Sequence, residues 1–261
     1  MQLHITIFII STFISLVFLF LYKKVGTRLK IYDVPNERSS HKDIVIRGAG
    51  VILILVNVAL FFLAPSEANM LLGLSICIGV LTGFVDDFKN LRAYTRFLLY
   101  LSAVAIILLG VLDLLRFDSF IWVPLFIVLL GAVNTYNFMD GINGITALYS
   151  FTFLVSSYFI LEGLGEHEFL TGIVLYCSFF VAFSFFNVRK RALMFLGDSG
   201  SVAMGLFSAF VVVLIGIKLS NWTPILLLSV YGVDSVGTII IRLIKKENVL
   251  KAHRSHLYQD L

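Results

Sequence analysis

Two adjacent carboxylates, Asp86 and Asp87, stand at the end of an apolar run that begins near Ala68. Neighbouring like charges repel strongly at the edge of a low-dielectric segment unless a cation or a proton joins them. A divalent metal ion would relieve that repulsion. The alternative is a solvated helix end, at which both acids face water and nearby Lys89, because structural ion pairs often mimic functional ones.

A second polar stretch runs from Asn134 to Gly144 and directly follows another apolar run. It carries Asn134, Thr135, Asn137, Asp140 and Asn143. A helix C-cap, a turn and an N-cap explain one or two such residues, but not five polar groups within ten positions. Polar groups at membrane depth usually line a cavity or a ligand site, so this stretch favours function.

A third stretch, Phe195 to Ser201, places Asp198 between two glycines. Glycines permit a tight turn and close approach of a ligand. We predict that a helix begins at Ser201 with its free N–H groups facing this loop. Asp198 is a candidate Mg²⁺ ligand because Mg²⁺ prefers hard oxygen donors. The alternative is a helix N-cap built from Asp or Ser.

Two arginines are suited to binding anions. Arg47 precedes Gly48 and Gly50, and guanidinium forks beside exposed backbone N–H groups bind phosphate well. The alternative for this segment is an ordinary basic loop. Arg96 opens a helical run, where a cation has the wrong sign for the helix dipole, so we predict that it pairs with a nearby anion.

These residues must be positioned by a membrane-embedded scaffold. The 261 residues are 59% hydrophobic and only 14% charged, which excludes an ordinary soluble domain. Nine apolar runs are candidate transmembrane helices. They are Leu3–Tyr22, Ile44–Leu63, Ala68–Val85, Thr95–Leu112, Ser119–Gly131, Ile142–Leu161, Phe169–Phe186, Ser201–Ile217 and Trp222–Ile244. We therefore predict one all-α, polytopic transmembrane bundle over residues 1–261.

The basic residues predict its orientation. With the N-terminus outside, 18 of the 20 Lys and Arg residues fall in inner segments, as the positive-inside rule requires. The same assignment places every unusual polar stretch in the cytoplasm. The net charge of +4 would attract anionic lipid headgroups and phosphorylated substrates there. Nucleic acid is not an expected partner, because the cations are spread over four loops.

Taken together, the loops resemble the polyprenyl-phosphate N-acetylhexosamine-1-phosphate transferase family, the relatives of phospho-N-acetylmuramoyl-pentapeptide transferase. The resemblance extends from Asp33 to the last residue. The segments that carry it are Arg38–His41 with Arg47–Gly50, Gly83–Asp87, Asn134–Gly144, Phe195–Ser201 and His253–Tyr258. The last of these is typical of the branch that initiates O-antigen or surface-polysaccharide synthesis.

The resemblance implies a reaction. An N-acetylhexosamine 1-phosphate passes from a UDP-sugar to undecaprenyl phosphate, releasing UMP, with Mg²⁺ required, at the cytoplasmic face of the inner membrane. By position, Asn137 and Asp198 resemble the metal ligands, and Asp86, Asp87, His253 and His256 resemble catalytic residues. The positions implied to bind substrate are Arg38, His41, Arg47, Arg96, Asn134, Asp140, Asn143, Asn187, Phe195 and Arg254.

Three departures from the family pattern stand out. Asn143 replaces a usual second Asp, the Arg189–Arg191 run replaces a proline-containing connection, and the chain stops where relatives continue through one or two more helices. Two other functions stay open: an ion-coupled secondary transporter with intramembrane acids, and a truncated, inactive remnant that binds lipid or a partner. The transferred sugar and whether the chain forms a homodimer are also open.

Overall fold

A computed structural model describes residues 2–35, 43–89, 91–112 and 122–247. Within them, nine α-helices form almost all of the regular structure. The helices are α1 Gln2–Leu29, α2 Leu53–Leu63, α3 Glu67–Lys89, α4 Ala93–Leu112, α5 Trp122–Met139, α6 Ile145–Gly163, α7 His167–Asn187, α8 Gly197–Leu219 and α9 Ser229–Ile244. Short 3₁₀ turns, Ala49–Ile52 and Thr223–Leu228, lead into α2 and α9.

The helices have the length and composition of membrane spans. Among the described residues, six helical segments are long and apolar enough to cross a bilayer, namely α1, α3, α6, α7, α8 and the continuous Thr223–Ile244. Ala49–Leu63, Ala93–Leu109 and Leu125–Met139 are shorter apolar helices. The predicted class, an all-α polytopic membrane protein, is confirmed. The count of nine crossings and the outside N-terminus stay predictions.

Helices α7 and α8 form the centre of the bundle. Over the most apolar 18 residues of each helix, 78% are buried in α7 and 83% in α8. The same share is 17% in α1, so α1 lies at the periphery. Helix α8 packs against α3 and α5, and α7 packs against α1 and α6. Small residues allow the closest crossing, since a Cβ on Gly205 of α8 would lie 2.8 Å from the Cα atom of Val133 on α5.

Two predicted helix starts were wrong. The run predicted to begin at Ile44 starts instead with strand β2 (Val45–Ile46), which pairs antiparallel with β1 (Tyr32–Asp33). Ile46 also forms a parallel bridge with Met194 and accepts a 2.7 Å hydrogen bond from the Phe195 N–H group. Met194 and Phe195 lie far along the chain. Their contacts with Ile46 hold this segment in an extended conformation, although its apolar sequence predicts a helix.

The eighth helix begins at Gly197, not at Ser201. Gly197 has a φ of +75°, a left-handed conformation that glycine adopts without a Cβ penalty. The helix can start there because the Asp198 N–H group donates to the Asp87 carboxylate at 3.2 Å. A carboxylate from α3 thus satisfies a free N–H group in the first turn of α8.

Candidate active site

Asp87 is the buried centre of the site. Its side chain has 0% exposure, and its Oδ1 atom lies 2.5 Å from an Arg47 guanidinium nitrogen. The same oxygen accepts the Asp198 N–H group. Its other oxygen, Oδ2, is buried and has no hydrogen-bond partner among the described residues. A buried carboxylate is stable only when it is paired, so Arg47 is the counter-ion that keeps Asp87 charged.

Glycines bring three backbones together around this carboxylate. A Cβ on Gly83 of α3 would lie 2.4 Å from the carbonyl carbon of Asp198, and a Cβ on Gly50 would lie 2.1 Å from the Gly200 nitrogen. Real Cβ atoms do not approach other atoms so closely. The 3₁₀ turn before α2, the end of α3 and the start of α8 can therefore meet only because these positions lack side chains.

Asp86 faces a different set of partners. Its Oδ1 atom accepts the Leu91 N–H group at 2.6 Å, and its Oδ2 atom accepts a 2.8 Å hydrogen bond from Arg96. Arg96 also lies 3.9 Å from Asp198 Oδ2. The prediction that Arg96 pairs with a nearby anion is confirmed. Arg96 thereby links Asp86 of α3 to Asp198 of α8.

Substrate could reach these charged groups to different degrees. The side chains of Arg96, Arg47 and Asp198 are 38%, 26% and 25% exposed, whereas those of Asp86 and Asp87 are 6% and 0% exposed. Asp198 is thus the most accessible of the three carboxylates. Asp86 and Asp87 contact the arginines and backbone that surround Asp198.

The charge of Arg47 is secured by its surroundings. Burial alone would lower its pKa, but the carboxylates of Asp87, Asp33 and Asp198 outweigh burial and raise the pKa of the guanidinium. The Arg47 carbonyl accepts a 2.7 Å hydrogen bond from the Tyr22 hydroxyl of α1. Tyr22 is not among the predicted site residues, since a tyrosine at the end of an apolar run is only a weak signal of such a contact.

Asn137 lies beside the start of α8. Its amide nitrogen donates to the Ser201 hydroxyl at 3.3 Å, and that hydroxyl lies one turn after Asp198 in the same helix. The close α5–α8 crossing at Gly205 makes this contact possible. Asn134, one turn earlier on α5, donates within its own helix to the Leu130 carbonyl at 3.0 Å. The predicted neighbours Asn137 and Asp198 therefore lie at the same end of two packed helices.

Asn187 and Asn143 tie the flanking loops together. Asn187 is 7% exposed; its Oδ1 atom accepts the Gly144 N–H group at 2.7 Å, and its Nδ2 atom donates to the Met194 carbonyl at 2.9 Å. Asn143 donates to the carbonyls of Arg189 and Lys190 at 3.1 and 3.3 Å. In the structure both amides contact backbone, and a role in substrate binding stays a prediction for each.

Asp140 and Phe195 lie in the same two loops. Burial raises the pKa of Asp140 to about 6, although a hydrogen bond with the Thr146 hydroxyl opposes this rise. Asp87 and Arg47 are close enough to act on its charge, which places Asp140 near the centre. The Phe195 backbone bonds to Ile46 and Ala49 and so fixes the α7–α8 loop against the Arg47 segment. Five predicted site residues lie outside the described residues: Arg38, His41, His253, Arg254 and His256.

The oxygen donors of the site suit Mg²⁺. Among the described residues, no group of three or more His, Cys, Asp and Glu side chains is arranged to hold a metal ion. Mg²⁺, however, is commonly held by one or two carboxylates together with substrate phosphates and water. Asp198, the Asn137 amide and the buried unpartnered Asp87 Oδ2 supply hard oxygen atoms near the start of α8. The donor set therefore fits the ion.

The fold and this centre define a class: a polytopic membrane protein with acids and arginines gathered at one end of its central helices. Comparison with known proteins identifies the family. Residues 69–216, more than half of the chain, match glycosyl transferase family 4. The chain belongs to glycosyl transferase family 4, and the resemblance seen in its loops is confirmed.

Curated relatives extend the match. The chain is 26% identical to a probable undecaprenyl-phosphate N-acetylglucosaminyl 1-phosphate transferase of Bacillus subtilis (strain 168), over 97% of the chain and 76% of that protein. It is 23% identical to an undecaprenyl-phosphate alpha-N-acetylglucosaminyl 1-phosphate transferase of Yersinia pestis, over 94% of the chain and 73% of that protein. A phospho-N-acetylmuramoyl-pentapeptide-transferase of Thermotoga neapolitana is 28% identical over 60% of the chain and 56% of its own length.

Proposed function

We propose that this protein transfers an N-acetylhexosamine 1-phosphate from a UDP-sugar to undecaprenyl phosphate, releasing UMP, as the first step of cell-surface polysaccharide synthesis. The reaction would take place at the cytoplasmic face of the inner membrane and would require Mg²⁺. Two relatives named for this transfer match almost the whole chain, which supports the reaction class. An ion-coupled transporter is not favoured.

One observation carries the proposal: three acids and two arginines converge from four separate segments of the chain, namely Asp86, Asp87, Asp198, Arg47 and Arg96. Transfer between a lipid phosphate and a diphosphate needs charge neutralisation and in-line positioning more than covalent help. The exposed parts of Arg47 and Arg96 would bind phosphate oxygens. Asp86 and Asp87 would fix the two guanidinium groups in position.

Asp198 and Asn137 would hold the magnesium ion, with the phosphates of the UDP-sugar as its remaining ligands. When bound, Mg²⁺ would neutralise charge that develops on the diphosphate. The half-buried Asp198 side chain is well placed for this role, because Asp87 binds its backbone N–H group and Arg96 lies 3.9 Å from its carboxylate. The three carboxylates would otherwise repel the substrate phosphates, so the two arginines are required even before the ion binds.

The test is a reconstituted assay. Purified protein in nanodiscs would receive undecaprenyl phosphate and a panel of UDP-N-acetylhexosamines, with mass spectrometry of the lipid product and of UMP. We expect one UDP-sugar to give both products only when Mg²⁺ is present. Asp198→Asn should lower the rate at least about 100-fold, the scale of a lost electrostatic contact. Asp43→Asn is the matched control, because Asp43 is a 57% exposed surface acid.

Two outcomes would contradict the proposal. Asp198→Asn turning over at the parent rate would remove Asp198 from the centre. Mg²⁺-dependent binding of UDP-sugar with no turnover of any panel member would instead support an inactive remnant. Titration calorimetry on the same preparation separates binding from catalysis.

A further inference from the structure

A basic pocket lies on α1, at the end of the helix that carries its cations. The pocket has a volume of about 400 Å³ and is lined by Phe20, Lys23, Lys24, Thr27 and Arg28. These positions follow the i, i+3, i+4, i+7, i+8 spacing that places residues on one face of a helix. We propose that this pocket binds the headgroup of an anionic phospholipid.

The length of α1 places the pocket at the membrane surface. Helix α1 has 28 residues, and its first basic residues in the chain, Lys23 and Lys24, follow an apolar run of about 20 residues that is long enough to span the hydrocarbon. Phe20 and Arg28 are eight positions apart, or about 12 Å along the helix. The pocket therefore extends from an aromatic ring on the acyl side to a guanidinium on the water side. This argument does not depend on which side of the membrane the N-terminus occupies.

The neighbouring helix adds to the same layering. The Phe20 ring lies 4.9 Å from the Phe186 ring and 6.1 Å from the Phe185 ring of α7. The Arg189 guanidinium lies 5.0 Å above the Phe185 ring. Aromatic rings are enriched at the headgroup level of membranes, where one edge contacts acyl chains and the other contacts polar groups. An aromatic group formed by Phe20, Phe185 and Phe186 thus lies at the acyl end of the pocket, with Arg189 beside it.

The cations of α1 are available to a ligand. Lys24 and Arg28 are exposed and Lys23 is half-buried. Within the parts of the chain that the structure describes, none of the three forms an ion pair with an acid. Clustered cations beside a membrane surface attract anionic lipids. The Phe20 ring on the acyl side of the pocket favours a lipid headgroup with attached acyl chains over a free phosphate ion.

The pocket is separate from the candidate active site. A different face of α1, carrying Leu19, Tyr22 and Gly26, is buried. That face contacts the β2 region, where a Cβ on Gly26 would lie 2.9 Å from Ile46 Cγ2 and the Tyr22 hydroxyl bonds to the Arg47 carbonyl. Charge changes in the pocket therefore leave the acids and arginines of the centre in place, and the inference does not rest on the proposed reaction.

Native mass spectrometry tests the proposal. The full chain would be released from nanodiscs of phosphatidylcholine with graded fractions of phosphatidylglycerol, and retained phosphatidylglycerol counted per chain. The triple variant Lys23→Gln/Lys24→Gln/Arg28→Gln keeps much of each side chain's bulk but removes its charge. We expect retention to fall about tenfold or more. The matched control, Arg92→Gln/Lys245→Gln/Lys246→Gln, removes the same charge from exposed positions elsewhere and should retain lipid within about twofold of the parent.

Further arms separate the sources of phosphate. Lys23→Arg/Lys24→Arg should keep the lipid. Both Gln variants should keep the parent's thermal unfolding midpoint, since none of the substituted cations is fully buried and none forms an ion pair within the described residues. If lipid retention falls equally in the two triple Gln variants, the effect comes from diffuse surface charge and the proposal is overturned. Displacement of the lipid by inorganic phosphate, or preferential retention of undecaprenyl phosphate, would also overturn it, because the site would then serve a free ion or the polyprenyl lipid.

Discussion

At the scale of single residues, the two neighbouring acids of α3 have different surroundings. Asp87 is enclosed and paired with Arg47, and it also accepts an N–H group from α8. Asp86 pairs with Arg96 and accepts the Leu91 N–H group. The accessible carboxylate is Asp198, from a different helix. We therefore infer that the α3 acids position the cations and that Asp198 contacts the substrate-bound ion.

Removing the charge of Asp87 tests this division of roles. Asp87→Asn preserves an acceptor for the Asp198 N–H group but leaves the Arg47 guanidinium without its nearest counter-ion. We expect activity to fall at least about 100-fold and unfolding free energy to fall by ~1–3 kcal/mol, less than for a fully buried pair because Arg47 is partly exposed. Urea or thermal unfolding in detergent and the product assay would measure the two effects.

A double variant completes this test. Arg47→Gln in the Asp87→Asn background removes the uncompensated cation, so stability should recover by most of the loss while activity stays low. A pair that is additive within about 0.5 kcal/mol would contradict the coupling between the two residues.

Asp140 gives a pH-dependent expectation. Burial raises the pKa of Asp140 from its ordinary value of 3.8 to about 6, so the fold favours the protonated form. The stability that this group contributes is fully present below pH 3.8 and is lost as pH rises through about 6. Asp140→Asn should therefore flatten stability between these pH values and raise the unfolding midpoint above pH 7 by about 3 °C. Thermal unfolding of the variant and the parent across a pH series measures this effect. If the variant has the lower unfolding midpoint above pH 7, the raised pKa of Asp140 is contradicted.

At the scale of helices, glycine contacts decide whether the site assembles. Gly83 of α3 is in backbone contact with Asp198. Gly83→Ala places a methyl group inside that contact, so α8 must shift away from Asp87. We expect stability to fall by ~1–3 kcal/mol and activity to fall more than about 100-fold because a small misplacement at a reacting centre is costly.

Gly73→Ala is the matched control in the same helix. A Cβ on Gly73 would lie 4.0 Å from Asn57, an ordinary contact. That change should keep activity and, through higher helix propensity, should keep or slightly raise stability. Equal effects of the two variants would show that the Gly83 contact has no special importance.

Asn187 connects elements, and its substitution separates two roles. If Asn187 holds the two loops together, Asn187→Ala leaves the Gly144 N–H group and the Met194 carbonyl without their partner. The unfolding free energy should then fall by ~1–3 kcal/mol, and kcat should fall with it. If Asn187 instead binds the nucleobase directly, the same substitution would raise KM for the UDP-sugar and leave the unfolding midpoint unchanged. Hydrogen exchange at Gly144 and kinetic titration distinguish the two, and we expect the first result.

Local patterns predicted the elements better than their joints. Nine apolar runs predicted where helices lie, because burial in a bilayer requires long apolar segments. The start of α8 at Gly197 and the extended backbone at Val45–Ile46 depend on partners far along the chain, such as Asp87 and Phe195. Asp86 and Asp87 are predictable because paired charges beside an apolar run are costly, and Arg96 because a cation has the wrong sign for the helix dipole at a helix start. The roles of Tyr22 and Gly83 are not predictable in this way, because each depends on a contact with a residue far along the chain.

At the scale of the whole molecule, the central pair α7 and α8 explains why the site lies at one end. The buried helix α8 begins at the acidic centre, and α3 and α5 end beside that beginning. Packing three helix ends together gathers residues separated by more than 100 positions, such as Asp87 and Asp198. The arrangement places Arg47 and Arg96 at the same end, so we propose that a phosphorylated substrate binds at this end of the bundle.

The orientation of the bundle is the remaining whole-molecule prediction. The two ends of α7 should face opposite sides, with Glu168 outside and Lys190 inside, because Lys and Arg concentrate in inner segments. In a background of Cys77→Ser and Cys177→Ala, we expect Glu168→Cys to react with a membrane-impermeant maleimide in intact spheroplasts. Lys190→Cys should react only after lysis. Both positions are exposed, so burial does not confound the comparison. The reverse labelling pattern would invert the bundle and place the acids and arginines of the centre on the outer face, where a cytoplasmic UDP-sugar could not reach them.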